Sequence, residues 1–358
     1  MKIHHVINSL SRGGAERFVL DCLNHNFGHD LIVLKNVVDY NASSKKIYNL
    51  NLPHYKSIIF LLRKLSFVKS DVFIFHLYIS MAVGALFRIF SNKNSNFFFF
   101  HHHSPFNSDL GSLTKLSLYF LRFYSRFFPL NAFFLSRSSY LLHRNFGLKF
   151  NRFMLVRLGV DNTIFKEQDL VSFTPSNFSS SSIKIGYFSR FTNIKGHSFL
   201  FNVCALLPFS DFHLYLAGKG ISSTNSALVD LINSFGLNDK ITLLGDLDHP
   251  EHYYPFLDIH FLASKSESFG LVSAESILCG TLAISTDVGH QCDIIGNPFL
   301  VFDYGDIPSA IDSIMYVRSL NHYEYRLHVL YSQNIVNTKY TLSSNITFMS
   351  DFICNTYV

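Results

Sequence analysis

The apolar positions of this chain fall in short unbroken runs, and most of those runs lead into a stretch with helical spacing. In the first half Lys2 to Ile7, Asp30 to Leu34, Val72 to Phe75, Asn96 to His102 and Ala132 to Leu135 read as strands, with helices over Ala15 to Leu23, Ile79 to Phe90 and Leu113 to Phe127. In the second half the strands are Ile183 to Phe188, His213 to Ala217, Ile241 to Leu244, Ile259 to Ala263 and Thr281 to Thr286. A helix runs to about Leu207, and another spans Gly270 to Cys279 and is ended by Gly280. Uninterrupted apolar strands are those of a parallel sheet covered on both faces, and the alternation with helices predicts an α/β chain built from βαβ units. The segment Val171-Ser-Phe-Thr-Pro-Ser-Asn-Phe-Ser-Ser-Ser-Ser182 has neither period and reads as a loop or linker. The expected division is a first domain over residues 1–166, a linker over 167–182 and a second domain over 183–340.

Composition narrows the class. The 358 residues are 15% charged and 16% aromatic, with 39 Phe and no Trp, so the chain is globular and can bury two cores. Five scattered cysteines (Cys22, Cys204, Cys279, Cys292, Cys354) form no CxxC and are odd in number, which argues against a disulfide framework or a zinc site and fits a reducing cytoplasm. The opening apolar run is too short for a signal peptide. The most apolar window, Val72 to Phe87, is shorter than a bilayer span, contains His76 and lies between Asp71 and Arg88, so it is expected to be a buried strand plus a core helix.

Charge separates the two halves. Residues 1–166 carry 21 Lys and Arg against 7 Asp and Glu, a net +14, while residues 167–358 carry 9 against 18, a net −9. The cations of the first half sit among aromatic and aliphatic residues over 56–69 (Lys56, Arg63, Lys64, Lys69) and 115–130 (Lys115, Arg122, Arg126). Cations beside Phe and Leu at helical spacing resemble interfacial amphipathic helices, so the expected partner is an anionic membrane surface. No recognition motif accompanies the charge, and nucleic acid is not expected.

The chemistry concentrates in a few stretches. Glu267-Ser-Phe-Gly-Leu-Val-Ser-Ala-Glu275 places Glu267 on the loop after a strand and Glu275 on the helix that follows. Open α/β sheets bind ligands at that strand end, and the helix start offers free amides to an anion. A carboxylate for hydroxyls beside a phosphate-binding helix start points to a nucleotide-sugar. Arg190 and Lys195 lie five apart after the strand Ile183 to Phe188, placed to hold a diphosphate. In the first half a strand leads through Gly13-Gly14 into a helix, the opening of a nucleotide-type fold. The run Phe97 to Phe100 ends in His101-His102-His103, which puts imidazoles at a sheet edge. Alternate residues His101 and His103 share a face as metal ligands would, but no third ligand of suitable spacing lies nearby.

Taken in order, these pieces resemble the retaining GT-B glycosyltransferases of family four. The likeness rests on Gly13-Gly14-Ala-Glu-Arg17, Leu158-Gly-Val-Asp161 with Phe165, Gly186-Tyr-Phe-Ser-Arg190 through Lys195-Gly196, Leu216-Ala-Gly-Lys-Gly220, Ile241-Thr-Leu-Leu-Gly245, Glu267 to Glu275 with Cys279-Gly280, and Asp287-Val-Gly289 through Asp293-Ile-Ile295. It implies two Rossmann-like domains facing each other across a cleft, with a C-terminal helix (341–358) crossing back to the first. It implies transfer of a sugar from a nucleotide-sugar, a UDP-sugar, to a lipid-linked or cell-surface glycan acceptor at the inner face of the membrane. Configuration would be retained without a protein nucleophile, and no metal or other cofactor would be needed.

The resemblance also implies roles. Arg190 and Lys195 neutralise the donor diphosphate, and the amides of Gly270, Leu271 and Val272, beside Phe269, bind phosphate or sugar. Glu267 contacts hydroxyls of the transferred sugar and Glu275 the nucleotide ribose. The Gly13-Gly14 turn lets backbone approach the donor phosphates, and His103 touches the donor sugar near the anomeric carbon, with His101 and His102 as alternatives. Leu158, Asp293 and His290 depart from the pattern and put the acceptor in doubt more than the reaction. Two other outcomes fit the same architecture: a nucleotide-sugar epimerase, or a non-catalytic partner of an active transferase.

Overall fold

Among the described residues of this computed structural model all strand pairings are parallel, and the inner strands are buried along nearly their whole length, which explains why their apolar runs show no alternation; edge strands such as Phe150–Leu155 are open to solvent. The structure describes residues 2–10, 14–24, 29–34, 47–49, 65, 68, 70–90, 96–102, 110–167, 183–267 and 269–354. The chain divides into two compact units, Met1–Arg157 with Ile346–Val358, and Leu158–Asn345.

The first unit contains β1 (Ile3–Ile7), α1 (Gly14–Asn24), β2 (His29–Val33), β3 (Ile47–Asn49), β4 (Val72–His76), α2 (Tyr78–Phe90), β5 (Asn96–His101), α3 (Ser112–Tyr124), β6 (Leu130–Phe134), α4 (Arg137–Phe146) and β7 (Phe150–Leu155). Its sheet runs in the order β3-β2-β1-β4-β5-β6-β7, so the winding direction reverses between β1 and β4. Phe73, Phe75, Phe97 and Phe99 project from one face of β4 and β5 into a core completed by α2 and α3, with the Phe75 and Phe97 rings stacked at 5.9 Å. The window Val72 to Phe87 is β4 followed by α2, which buries Met81, Ala85 and Phe87. Among the described residues no helix is long and apolar enough to cross a membrane.

One expected helix is shorter than the sequence predicts. Residues 115–130 do not form a continuous helix: α3 stops at Tyr124, and Leu130 already pairs in β6. Apolar spacing persists through Phe127 and Phe128, but Pro129 cannot donate to a helical ladder, so the backbone turns before it. Of residues 56–69 only Leu65 and Val68 are described; Leu65 is buried in the phenylalanine core and Val68 packs against it.

The second unit contains β8 (Ile183–Phe188), α5 (His197–Ala205), β9 (Phe212–Ala217), α6 (Ser226–Ser234), β10 (Ile241–Gly245), β11 (Ile259–Leu262), α7 (Leu271–Leu278), β12 (Leu282–Thr286), α8 (Gln291–Ile295), β13 (Val301–Phe302), α9 (Ile307–Ser319) and α10 (His322–Lys339). The last helix, α11 (Leu342–Cys354), contributes its residues from Ile346 to the first unit. The strand order β10-β9-β8-β11-β12-β13 reverses between β8 and β11. Val160 belongs to this unit, donating its amide to Tyr340 O (2.8 Å) and accepting from Leu342 N (3.0 Å). Of the expected linker, residues 168–182 lie outside the described residues, while Glu167 accepts from Arg326 (2.6 Å) and Gln333 (2.7 Å) of α10. That helix starts with a capping box between Asn321 and Glu324.

Candidate active site

In an open parallel sheet the crevice for a ligand lies at the carboxyl ends of the two strands where the order reverses. In the second unit those strands are β8 and β11, and the loops that leave them carry Arg190, Lys195 and Glu267. Sequence places Lys195 and Glu267 72 residues apart; the strand order makes them neighbours. The Lys195 ammonium donates to Glu267 Oε1, and Ser264 Oγ donates to the same oxygen at 2.8 Å. Both side chains are largely buried, at 18% and 15% exposure, so little solvent screens the pair.

The two loops are stitched along their length. Lys265 N donates to Ile194 O (2.8 Å), Lys265 Nζ to Asn193 Oδ1 (2.6 Å), the Tyr187 hydroxyl to Lys195 O, and Thr286 Oγ1 to Ser264 O (2.7 Å). Gly196 makes this possible. It has φ +70°, and a Cβ there would meet Ala263 O at 2.0 Å, so only glycine lets the backbone turn and pass so close to β11. Burial, and then the negative charge of Glu267, hold the Tyr187 hydroxyl well above its usual range and protonated, despite the opposing hydrogen bonds with Ser189 and Ser264. His197, next in the chain, is lowered to about 4 by burial and then by the charge of Lys195.

Arg190 stands apart from this network. It is exposed at the start of the same loop and has no ion pair among the described residues. The loop is held from the other side, where Phe191 N donates to Lys219 O (2.9 Å) and Ser189 N to Ala217 O (2.7 Å). A cation free to meet an anion thus lies on the same short loop as one already engaged by a carboxylate.

The helix after Glu267 starts with Leu271, half-buried like Val272, and its cap is Gly270 in the left-handed region (φ +86°) with no side-chain hydrogen bond. Such an uncapped start leaves amides for an anion. Sequence reading missed Gln291, which fixes this turn. Its Nε2 is fully buried and donates to Phe269 O (2.9 Å) and Gly270 O (3.2 Å), and a Cβ on Gly270 would meet it at 2.0 Å. The phenyl ring of Phe269 is buried between His290 and Tyr340, so Phe269 serves packing while its carbonyl is held. Glu275, one turn further, is buried and accepts from the Tyr254 hydroxyl at 3.2 Å. Tyr254 in turn packs against Phe188 and His260.

The first unit distributes its predicted residues differently. Gly14 opens α1, while Gly13 and His103 lie outside the described residues. His101 and His102 point to opposite faces of the sheet. His101 is fully buried, stacked on Phe134 (4.7 Å) and edge-on to His143 (4.3 Å). His102 stacks on Phe100 (4.3 Å), and its Nε2 hydrogen-bonds His76 Nδ1 at 2.9 Å.

That last contact ends a row that sequence reading did not find. His29 Nδ1 bonds His5 Nε2 (2.7 Å), His5 Nδ1 bonds His76 Nε2 (2.8 Å), and His76 leads to His102, so four imidazoles cross β2, β1, β4 and the end of β5. Burial first, and then the neighbouring histidines, hold His5 and His76 well below the usual imidazole range. Each neutral ring has one donor and one acceptor, so the tautomers along the row are mutually dependent. Beside it, Leu77 adopts φ +66° at the carboxyl end of β4, where this sheet reverses; only isolated histidines in apolar strands hinted at any of this.

Comparison with known proteins agrees with this geometry. Residues 172–328 match the family model "Glycosyl transferases group 1". An O-antigen biosynthesis glycosyltransferase, WclY of Escherichia coli, is 25% identical over 164 residues, 46% of this chain and 45% of that protein. A D-inositol 3-phosphate glycosyltransferase of Mycolicibacterium gilvum is 32% identical over 135 residues, 34% of this chain and 30% of that protein. The matches thus span less than half the length of these curated relatives. Among solved structures, sucrose-phosphate synthase from Thermosynechococcus elongatus superposes with a TM-score of 0.80 at 17% identity, covering 100% of this chain and 99% of that one. HepE of Anabaena, solved in complex with UDP, gives 0.79 at 16% identity, covering 99% of this chain and 100% of that one. At such identities the likeness is one of fold, that of the GT-B enzymes.

Proposed function

Because residues 172–328 match the family model of the glycosyl transferases group 1, we propose that this protein transfers a sugar from a nucleotide-sugar to a glycan acceptor. The donor in this reading is a UDP-sugar, the acceptor a lipid-linked or cell-surface glycan at the cytoplasmic face of a membrane, and the configuration is retained. The observation that carries it is the Lys195–Glu267 pair at the sheet reversal, beside the unpaired Arg190 and the uncapped start of α7. HepE, of the same fold, was solved with UDP, which supports the choice of nucleotide.

The chemistry follows from the charges. Departure of the sugar leaves a growing negative charge on the diphosphate, and fixed cations and amides aimed at it lower the barrier. Arg190 binds as a planar fork and Lys195 as a point charge, with the first amides of α7 completing the cradle. Pairing with Glu267 holds the Lys195 ammonium in place before the donor arrives, so little reorganisation is needed. Glu267, shared between Lys195 and Ser264, has lone pairs left for hydroxyls of the transferred sugar. Glu275 lies deeper, where its contact with Tyr254 orients it toward the ribose hydroxyls. The departing phosphate oxygen takes the acceptor's proton, so no protein nucleophile is required.

Docking to an anionic membrane rests on α3 and the turn that follows it. Leu113, Leu116, Tyr119, Phe123 and Phe127 are 54 to 66% exposed and recur every three or four residues, forming one apolar stripe. Lys115 and Arg126 are exposed along its side. Ser117, Leu118, Leu121 and Tyr124 face the core, so the exposed stripe is surplus to folding.

Incubating the protein with a panel of UDP-sugars and a lipid extract tests the reading. Sugar appearing in the lipid fraction is the expected result. Recovery of an isomerised donor would replace it with an epimerase, and an untouched donor across the panel would leave a non-catalytic partner.

A further inference from the structure

The loop after β10 gathers three metal-ligating side chains that the transfer reaction does not use. His249, Glu251 and His252 each bring one ligand atom within 4.8 Å of the other two. Pro250 starts a 3₁₀ turn over Pro250–His252, with His249 as its cap. In that geometry residues three apart eclipse one another, so His249 and His252 lie on the same side, their ring centroids 5.6 Å apart. Proline fixes the backbone at the turn's first position, which reduces the ordering cost of bringing the two rings together.

Two features of the surroundings call for a cation. Glu251 is buried, 8% exposed, and among the described residues its hydrogen-bond partner is His249 Nδ1 at 2.9 Å. His249 is itself largely exposed, so a buried carboxylate relies on a single solvated imidazole. In addition, the loop from Gly245 to Phe256 carries three carboxylates (Asp246, Asp248, Glu251) and no Lys or Arg of its own, while Asp258 beyond it is paired with Lys184 (3.2 Å). The negative potential of Glu251 reaches beyond the loop: the Cys279 thiol is pushed above its usual range by burial, then by Glu275 and Glu251.

We propose that His249, Glu251 and His252 form a binding site for a borderline divalent transition metal of the zinc class. Two imidazoles and one carboxylate suit zinc, cobalt or nickel rather than magnesium or calcium, which take oxygen ligands. Ligand bonds of about 2.0–2.1 Å place ligand atoms roughly 3.4 Å apart in a tetrahedron, so on binding the separations of up to 4.8 Å shorten and the 2.9 Å contact of His249 with Glu251 opens slightly. The exposed His249 ring can move that far. Water fills the remaining position. A metal takes only unprotonated imidazole nitrogens and carboxylate oxygens, so affinity falls as pH drops.

The site has a consequence for the chemistry, which rests on the functional reading above. Tyr254 follows His252 by two residues and holds the Glu275 carboxylate, so a metal clip at 249–252 stiffens the segment that orients Glu275.

The test uses the full chain without a histidine tag, stripped with chelator and titrated with zinc by calorimetry and with cobalt by visible absorption. One equivalent of zinc at micromolar or tighter affinity is expected, with cobalt d–d bands of a four- or five-coordinate site. The double variant His249→Gln/His252→Gln should lose at least 10-fold in affinity, and Glu251→Gln, which keeps the side chain's shape, should weaken binding while leaving the melting temperature in chelator unchanged. Absence of micromolar binding would overturn the site, as would equal binding by wild type and double variant. Loss of binding on His103→Gln instead would assign the ion to the triple-histidine run. These readouts need no donor or acceptor, so failure of the metal site and failure of the transferase reading are separable.

Discussion

The Lys195 ammonium and the Glu267 carboxylate form an ion pair at the point where the second sheet reverses its strand order. Each holds the other in a largely dry setting, and each is expected to bind a different part of the donor.

Removing Lys195 takes a cation from the diphosphate site and leaves the largely buried Glu267 carboxylate without its partner. Lys195→Ala is expected to lower turnover on the order of 10²-fold or more, with Arg190→Ala similar. Near-normal turnover in both variants, measured under saturating donor, would remove the diphosphate assignment. Because Lys195 and Glu267 interact, the Lys195→Ala/Glu267→Ala double variant should lose less stability than the two single losses combined, as seen in denaturant midpoints.

Gly270→Ala tests the turn that presents the start of α7. The left-handed conformation costs alanine about 1–2 kcal/mol. The new methyl also displaces Gln291, whose buried amide then loses bonds at roughly 1–3 kcal/mol. A lowered melting temperature together with weakened UDP binding is expected. Unchanged values for both would mean that the turn is set by something else.

The buried histidines predict acid sensitivity with a definite sign. His5, His76 and His101 are held well below the usual range, His143 and His197 at about 4 and His260 at about 3, with burial the first cause in every case. Above a pH of about 6.5 both folded and unfolded chains carry neutral imidazoles, and stability does not change on this account. Below it the unfolded chain takes up protons that the folded one refuses, until pH reaches the folded values. Each such histidine therefore costs roughly 1.4 kcal/mol per pH unit of acidification in that window. Urea midpoints at pH 7.5 and 5.5 should differ strongly; equal midpoints would show that these rings accept protons in the fold.

Within the histidine row, His76→Phe removes two bonds and leaves His5 and His102 facing a ring that cannot answer them. A loss of about 2–4 kcal/mol is expected, and adding His5→Phe should cost much less than it does alone. Additive losses in that cycle would mean the contacts are not coupled.

Membrane docking predicts retention on anionic liposomes. Charge removal in Lys115→Gln/Arg126→Gln should weaken partitioning about 30-fold at roughly 1 kcal/mol per cation. Leu116→Ser/Phe123→Ser should release the protein while leaving its fold intact, because both side chains point away from the core. Flotation unaffected by either pair would contradict the role given to α3.

Much of this was legible in order along the chain. Apolar runs located the strands that flank the site, and Gly270 and Gly280 marked the ends of α7, because unbroken hydrophobicity and glycine at helix ends are local consequences of burial and backbone sterics. Residue chemistry alone singled out Arg190, Lys195, Glu267 and Glu275. What it could not supply was partnership. That Lys195 meets Glu267, that Gln291 locks the Gly270 turn and that His5, His76 and His102 join in one row depend on which strands become neighbours, and a strand buried on both faces carries no period to tell them. The sequence by itself determined the elements and the charges. Strand order, a property of long-range packing, decided which of those charges would touch.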